Sequence, residues 1–475
     1  MDEDELVVNI TSNLVKKDTS INIFSRIFPK KEAHDYVAKI GKKYGFDVYS
    51  LGPIKVPPSW GGNASIYPIV LVKSKTKTKQ TYERPIVLFL GHLDVVPVTE
   101  KEKKFWKQID PFSGKIEGDR IYGRGAFDMK GGDAAFITAF SLKEIEKGTV
   151  VIAFSGDEEV GGFISMPKII SFLEEKNLMP NYVINGEPST VPVIVTKRRA
   201  STKLRIVFPL YKKKVMGVLR EEEYESFQGD GNETLHSALY VLGADSHALL
   251  TAAKMTVGWK INYLESSSKK WNSVPKSVKI SYIDEFPEKE EEIERKEYYY
   301  YEGLTKVLEG LVSLPSIDWE AEKSTYGISV APNIVILDDK NDVGEIVIDL
   351  RAMLRDGTRH KEIRRKVEEH FKQFLEDVEV KVGAAVNSMF SPPDSKVVLA
   401  LKQTAEKHGV HVLRIGEKLG GASDSRYFSE LGIPCAELGP SGRNAHGPLE
   451  WVSISSLRKL VKIYQDTFDL LTLSA

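Results

Sequence analysis

Over residues 1–196, short apolar runs alternate with stretches whose apolar residues recur at helical spacing. The runs IYPIVLVKS from Ile66, PIVLFLG from Pro85, TVVIAFSG from Thr149 and YVINGEPS from Tyr182 predict strands, and 31–44 and 130–147 predict helices, the second ending at Gly148. Strands alternating with helices imply an α/β sheet covered on both faces. The middle, 197–384, has a different texture: STKLRIVF, VGEIVIDLRAML and VEVKVGAAV read as strands, with helical patterns at 246–257 and 359–375. Within it the segment 284–301, DEFPEKEEEIERKEYYYY, reads as a solvated helix start or a surface insertion. Alternation then resumes over 385–475, with helices at 396–407, near 425–431 and from Ser453, and strands at HVLRIG and PCAELG. The pattern therefore predicts one α/β domain, 1–196 with 385–475, interrupted by an inserted domain at 197–384.

Composition narrows the function classes. The chain has 475 residues, and Lys+Arg 66 nearly cancels Asp+Glu 67, so nothing favours nucleic acid or an anionic membrane as partner. Cys435 is the only cysteine, which rules out an internal disulfide and suits a reducing compartment. The start, MDEDELVVNI, lacks the basic-then-apolar layout of a signal peptide, and no apolar run approaches the ~18 residues of a membrane span. The expectation is a soluble, cytoplasmic protein.

The informative residues are the polar ones that close apolar strands. In GHLDVVP, His92 and Asp94 lie two apart and so point to one face of an extended chain. A buried imidazole beside a carboxylate is either a structural pair or a metal ligand oriented by the acid. Asp128 follows the glycine-rich turn IYGRGAFDMKGG, where a lone Asp is most often a helix cap. Asp157, Glu158 and Glu159 crowd the end of another strand in FSGDEEVGG and repel one another unless a cation is present. Glu187 closes INGEPS, and His446 sits in the Gly/Pro-bounded loop GRNAHGPLEW. Strand carboxyl ends are where open α/β sheets bind ligands. Two His with several carboxylates and no cysteine suit Zn²⁺, Co²⁺ or Mn²⁺, and two metals about 3.5–4 Å apart would use all these groups.

In order along the chain, GHLDVVP, GRGAFDMKGG, SGDEEVGG, NGEPS, SDSRYF and NAHGPLE resemble the dinuclear zinc amidohydrolases of the M20 peptidase family, over nearly the whole length. That family includes acetylornithine deacetylase, succinyl-diaminopimelate desuccinylase, aminoacylase and glutamate carboxypeptidases. The resemblance implies a central mixed sheet flanked by helices, with an α+β sandwich inserted as lid and dimerisation domain, and hence a homodimer. It implies two Zn²⁺ ions, with Co²⁺ or Mn²⁺ as alternatives: His92 and Glu187 on one metal, Glu159 and His446 on the other, and Asp128 bridging both. Asp94 would orient His92, and Glu158 would be the general acid/base. A lid histidine, His236 in preference to His247, would reach the active site of the partner subunit. Asn333 and Arg351 fall where the family holds the substrate carboxylate, although Arg351 reads equally as a strand-end surface charge. Gly421, Ala422 and Ser423 fall where it lines the pocket, and the Asp128–Met129 peptide would be cis. His34, His360, His370, His408 and His411 lie on polar stretches read as solvated.

The chain departs from the family pattern at Leu449, where Asn is common, at 197–200, which lacks the usual Arg-Gly step, and in a longer lid around 261–326. The function implied is metal-dependent hydrolysis of an amide or peptide bond in a small molecule or short peptide carrying a free carboxylate. A deacylase is ordered slightly ahead of a dipeptidase or carboxypeptidase. The alternative, a non-catalytic metal-binding relative acting as a binding module, predicts erosion of the ligands or the base, and none is eroded. A nucleotide-binding enzyme fails because the glycines around Asp128 follow no clear strand.

Overall fold

The computed structural model describes residues 2–75, 77–78, 81–226, 236–287, 294–319, 324–354 and 359–473. The chain divides into two units, Met1–Lys197 with Met389–Lys418 and Ser423–Ala475, and Arg198–Ser388 with Leu419–Ala422.

The first unit is built on a nine-stranded mixed sheet. Its strands are β1 (Asp47–Ser50), β2 (Ile69–Ser74), β3 (Ile86–His92), β4 (Thr149–Ser155), β5 (Tyr182–Asn185), β6 (Val193–Arg198), β7 (Met389–Phe390), β8 (Arg414–Glu417) and β9 (Cys435–Glu437). They lie in the order β1–β2–β4–β3–β5–β9–β6–β7, with β8 also paired to β6. Strands β4, β3, β5 and β9 run parallel, and β2 is antiparallel to β1 and β4. Every residue of β3 and β4 is buried, as expected of central strands covered on both faces.

Alternation along β3 divides the core. Val87 and Phe89 pack with helices α1 (Glu3–Val15), α2 (Glu32–Lys43), α3 (Gly131–Ser141), α5 (Lys396–Lys407) and α7 (Ile454–Leu473). Ile86, Leu88 and Leu90 face α4 (Ser165–Glu175) and α6 (Ser425–Glu430). At Gly91 the backbone passes so close to α3 that a Cβ would lie 2.0 Å from the buried Asp133 carboxylate, so only glycine fits.

Two elements differ from the sequence reading. Helix α1, which an eye on its acidic start overlooks, is capped by Asp2 accepting the Glu5 N–H (2.8 Å), and its acids complement the positive helix end. Leu6, Val7, Ile10 and Leu14 form its buried stripe. Helix α3 stops at Ser141 rather than Lys147, and the Lys73 ammonium satisfies its last carbonyls, those of Phe140 (2.7 Å) and Ser141 (3.3 Å).

The second unit holds two antiparallel four-stranded sheets. One is ordered Ser329–Asp338, Val343–Ala352, Ala200–Pro209, Glu379–Val386, and the other Lys260–Ser266, Ser277–Asp284, Lys212–Glu225, Lys296–Tyr301. Helices Ala248–Met255, Glu302–Ser313 and Arg359–Lys372 contribute to their shared core. The segment 284–301 is therefore not a helix start where it is described, since Lys296–Tyr301 is a strand; residues 288–293 lie outside the described set. Its tyrosines favour a strand and stack under lysines of the paired strand, with Lys212 and Lys214 at 5.0 and 5.2 Å from the Tyr299 ring.

Three histidines read as solvated are buried. His360 bonds Thr202 Oγ1 (2.6 Å) and Asn387 Oδ1 (2.7 Å), His370 donates to the Gly310 carbonyl (2.8 Å), and His34 faces Asp35 (3.0 Å). Each lies on the inner face of a charged helix, where a count of polar neighbours hides the apolar stripe.

Candidate metal centre

Three adjacent parallel strands deliver the chemistry. His92 is the last residue of β3, and its backbone pairs with Ser155 at the end of β4. Glu158 and Glu159 begin the turn that follows β4, and Glu187 stands two residues past β5. Asn185 fixes that last step, accepting the Glu187 N–H at 3.0 Å. Asp128 lies in the irregular turn entering α3, and its peptide bond to Met129 is cis.

Asp128 stands between the two imidazoles. Its Oδ1 is 3.3 Å from His92 Nε2, and its Oδ2 is 3.1 Å from His446 Nε2. Glu187 and Glu158 approach His92 Nε2 at 3.8 and 4.0 Å, and Glu159 approaches His446 Nε2 at 3.2 Å. One atom each of His92, Glu158 and Glu187 lie within 4.8 Å of one another, as do those of His92, Asp128 and Glu159, and Asp128 faces both imidazoles. Four carboxylates against two imidazoles leave an excess of negative charge, and Glu159 Oε1 is buried with no partner among the described residues. Nitrogen and oxygen donors without thiolate fit Zn²⁺, Co²⁺ or Mn²⁺.

Residues 88–469 match the family model for peptidase family M20/M25/M40. The chain belongs to this family. Succinyl-diaminopimelate desuccinylase of Nautilia profundicola is 24% identical over 409 residues, 84% of this chain and 87% of that one. Two crystal structures share the fold. Aminoacylhistidine dipeptidase from Vibrio alginolyticus superposes with a TM-score of 0.67 at 12% identity, covering 97% of this chain and 95% of that one. The M20 metallo-carboxypeptidase Sso-CP2 from Sulfolobus solfataricus gives 0.60 at 18% identity, covering 99% of both. This M20 chain is a metal-dependent hydrolase.

Around the M20 centre, two acids do work that the sequence does not reveal. His92 Nδ1–H donates to the backbone carbonyl of Asp94 (3.0 Å), which fixes the tautomer and turns Nε2 toward Asp128. The Asp94 carboxylate is farther from the ring (3.6 Å) and instead accepts the N–H groups of Glu158 (3.2 Å) and Glu159 (3.0 Å), holding the acidic turn. Asp157 points away: its carboxylate accepts the N–H groups of Ile164 and Ser165 (2.8 and 3.0 Å) at the start of α4. Reading by motif also misses Arg124 and Glu450, a buried ion pair at 2.9 Å. The available signal is an acid lodged between Leu449 and Trp451, which cannot be buried without a donor.

Burial disfavours charge on the His92 imidazole of the M20 centre, whereas the His446 ring is half exposed, and at both rings the surrounding carboxylates prevail. Asp128, Asp94 and Glu158 raise His92, and Glu159 and Asp128 raise His446, well above the ordinary imidazole value. Burial lifts Asp94 to about 7 despite His92, and burial with Glu187 beside it lifts Glu158. Both rings therefore hold their protons to higher pH than a free imidazole does, and metal uptake has to displace protons. Calorimetric metal titration of the stripped protein near pH 7 should show an apparent enthalpy that varies with buffer ionisation enthalpy, with protons released on binding. A slope of zero would contradict this.

The other expected site residues are placed as follows. Ser423 is buried, and its hydroxyl donates to Glu437. In the second unit, the Gly421 carbonyl accepts from Arg198 (2.9 Å), and the neighbouring Ala422 is half-buried. Asn333 is wholly buried, with its amide on Ser237 Oγ (2.7 Å) and the Trp271 carbonyl (2.6 Å) and its Oδ1 3.3 Å from His247 Nε2. Arg351 is not a surface charge: it is buried and pairs with Asp349 (3.0 Å). His247 is buried too, and desolvation lowers it to about 4, so it is a neutral ring. His236 is exposed, its Nδ1 accepting the Ala238 N–H (3.0 Å).

Proposed function

We propose that this M20 hydrolase cleaves the amide bond of an N-acyl amino acid, dipeptide or peptide C-terminus, with deacylation ahead of peptide cleavage. The observation that carries the reading is Asp128, one oxygen toward each imidazole, with the Glu158 carboxyl 4.0 Å from His92 Nε2 beside it. His92, Asp128 and Glu187 would hold one metal ion, and Asp128, Glu159 and His446 the other; zinc is the leading choice and cobalt or manganese the alternatives. When bound, such a pair acidifies a water and polarises a carbonyl. Glu158 takes the proton of the attacking water on its carboxylate and returns it to the departing amine nitrogen. Burial and Glu187 raise its affinity for that proton, which suits a group that must first accept and then donate.

The order of substrates follows the desuccinylase, which matches most of this chain. The substrate has a free carboxylate, the enzyme works in the cytoplasm, and two copies pair through the inserted unit. A buried lone cysteine fits that compartment. In the dimer, His236 reaches the reaction centre of the other copy and steadies the carbonyl oxygen as charge develops. His236→Ala should lower kcat about 100-fold with metal content and Tm unchanged, whereas His247→Ala should lower Tm and leave kcat per folded chain nearly intact. The reverse pattern assigns the role to His247.

The test of the reading is amine release from a panel of N-acetyl amino acids, N-succinyl amino acids and dipeptides by metal-stripped protein, with and without added Zn²⁺. Zinc-dependent release from one class names the substrate. Two bound metals with no release from any member would mean that the longer lid selects a substrate outside the panel or that the protein is a binding module.

A further inference from the structure

We infer that Arg124 and Glu450 are positioning residues of the metal centre: Glu450 anchors the turn of the shared ligand Asp128, and Arg124 sets the half that includes His446. The inference rests on the two-metal reading above. It begins with the Asp128 turn, whose backbone N–H groups point inward rather than into a helix. Glu450 collects them: its Oε2 accepts the Gly125 N–H (3.0 Å), and its Oε1 accepts those of Phe127 and Asp128 (3.0 Å each). A carboxylate held by several peptide N–H groups is a strong, directional anchor, and here it fixes the backbone of the shared ligand itself.

Arg124 links this anchor to the other ligand loop. Its Nη1 donates to Glu450 Oε2 (2.9 Å) and to the Gly447 carbonyl (3.0 Å), and its Nη2 donates to the His446 carbonyl (3.3 Å) and to Glu102 Oε1 (2.6 Å). The His446 loop needs such a hold. Asn444, His446 and Leu449 all have left-handed backbones, with φ of 63°, 60° and 53°, a conformation that side chains with a Cβ adopt only when their surroundings impose it. Arg124 and Glu450 are each 1% exposed, and each bonds the backbone of a ligand rather than its side chain. His92 and Glu187 are oriented by other groups, the Asp94 carbonyl and the Asn185 amide. Glu450 keeps its three backbone bonds to the Asp128 turn without the guanidinium, so replacing Arg124 should loosen the His446 loop and the metal it holds while the other metal moves less.

The test is equilibrium Zn²⁺ titration of stripped full-length protein, with visible absorption of the Co²⁺-loaded form as a second readout. His446→Ala marks which class of binding belongs to its half of the centre. In Arg124→Lys, whose ammonium cannot reach all four acceptors, that same class should weaken by about 10–100-fold while the other moves less than about threefold. The Co²⁺ spectrum should change in that class alone. Equal weakening of both classes, or a lower Tm with both classes unmoved, would make the pair merely structural and overturn the inference. Should Arg124→Lys not fold, Glu102→Ala removes one acceptor of the guanidinium, and it should weaken the marked class by at least about threefold; no shift refutes the proposal. Wild-type protein that takes up only one metal defeats the two-metal reading itself, an outcome distinct from an unchanged variant.

Discussion

Replacing Glu158 by glutamine is expected to lower kcat by about three orders of magnitude while two metals stay bound. General acid/base catalysis contributes roughly 10²–10⁴ in rate, and glutamine keeps the shape of the side chain while removing its basicity. The result separates two roles that the geometry alone leaves close, since Glu158 and Glu187 lie at nearly equal distances from His92 Nε2, 4.0 and 3.8 Å. If Glu158 is the proton carrier, metal content by elemental analysis is unchanged and KM moves little. If it is a ligand, one metal is lost together with activity. Stability gives an independent check. The Glu158 carboxyl is buried beside Glu187, so burial and like charge both disfavour its ionised form. A neutral amide relieves that repulsion, and Tm of the stripped variant should equal or exceed that of stripped wild type near pH 7. A marked fall in Tm would mean that the carboxylate is a structural partner instead.

The legibility of this molecule in its sequence follows a physical division. The central strands were readable because residues such as Val87–Leu90 and Val150–Phe154 are buried on both faces and admit only apolar side chains. A polar residue at the end of such a run has to be explained, and this singles out His92, the acids after Ser155, and Glu187. What stayed hidden depends on contacts remote in sequence. The last carbonyls of helix α3 are held by Lys73, on a strand that precedes it by many residues. The Asp94 carboxylate turns from His92 to the Glu158–Glu159 backbone, which no spacing along the chain discloses. Arg124 and Glu450 meet across more than 300 residues, and Asn333 and Arg351 spend their polar atoms on neighbours within their own unit. The buried His360 and His370 show the same limit, because a helix with a hydrophilic average still has an inner face.

The second large effect concerns Asp128. Asp128→Asn should weaken both metals at once, each by roughly 10²–10³-fold, and leave turnover undetectable at ordinary metal concentrations; removing one partner of a buried ion pair costs about 3–5 kcal/mol. The reason is the division of its oxygens: Oδ1 serves the His92 side and Oδ2 the His446 side, and an asparagine offers one acceptor and presents an N–H₂ group to the other. No other residue of the centre has this property, so His446→Ala should weaken one class of binding where Asp128→Asn weakens two. The metal-free protein adds a signed pH dependence. Burial alone would raise Asp128, but hydrogen bonds from His446 and His92 hold it well below the usual carboxylate range. A depressed carboxylate stabilises the fold above its unfolded value near 3.8, and that contribution is lost as pH falls through its folded value. The raised imidazoles contribute fully below about 6.5, and their share is lost as pH rises through their folded values. The Tm gap between stripped wild type and stripped Asp128→Asn should therefore be widest near about pH 6, where carboxylate and both rings are charged, and close as alkali discharges the rings. A gap that widens with alkali, or a variant that binds two metals as tightly as wild type, would remove Asp128 from the bridging position. That would take with it the argument that one carboxylate joins the two halves of this centre.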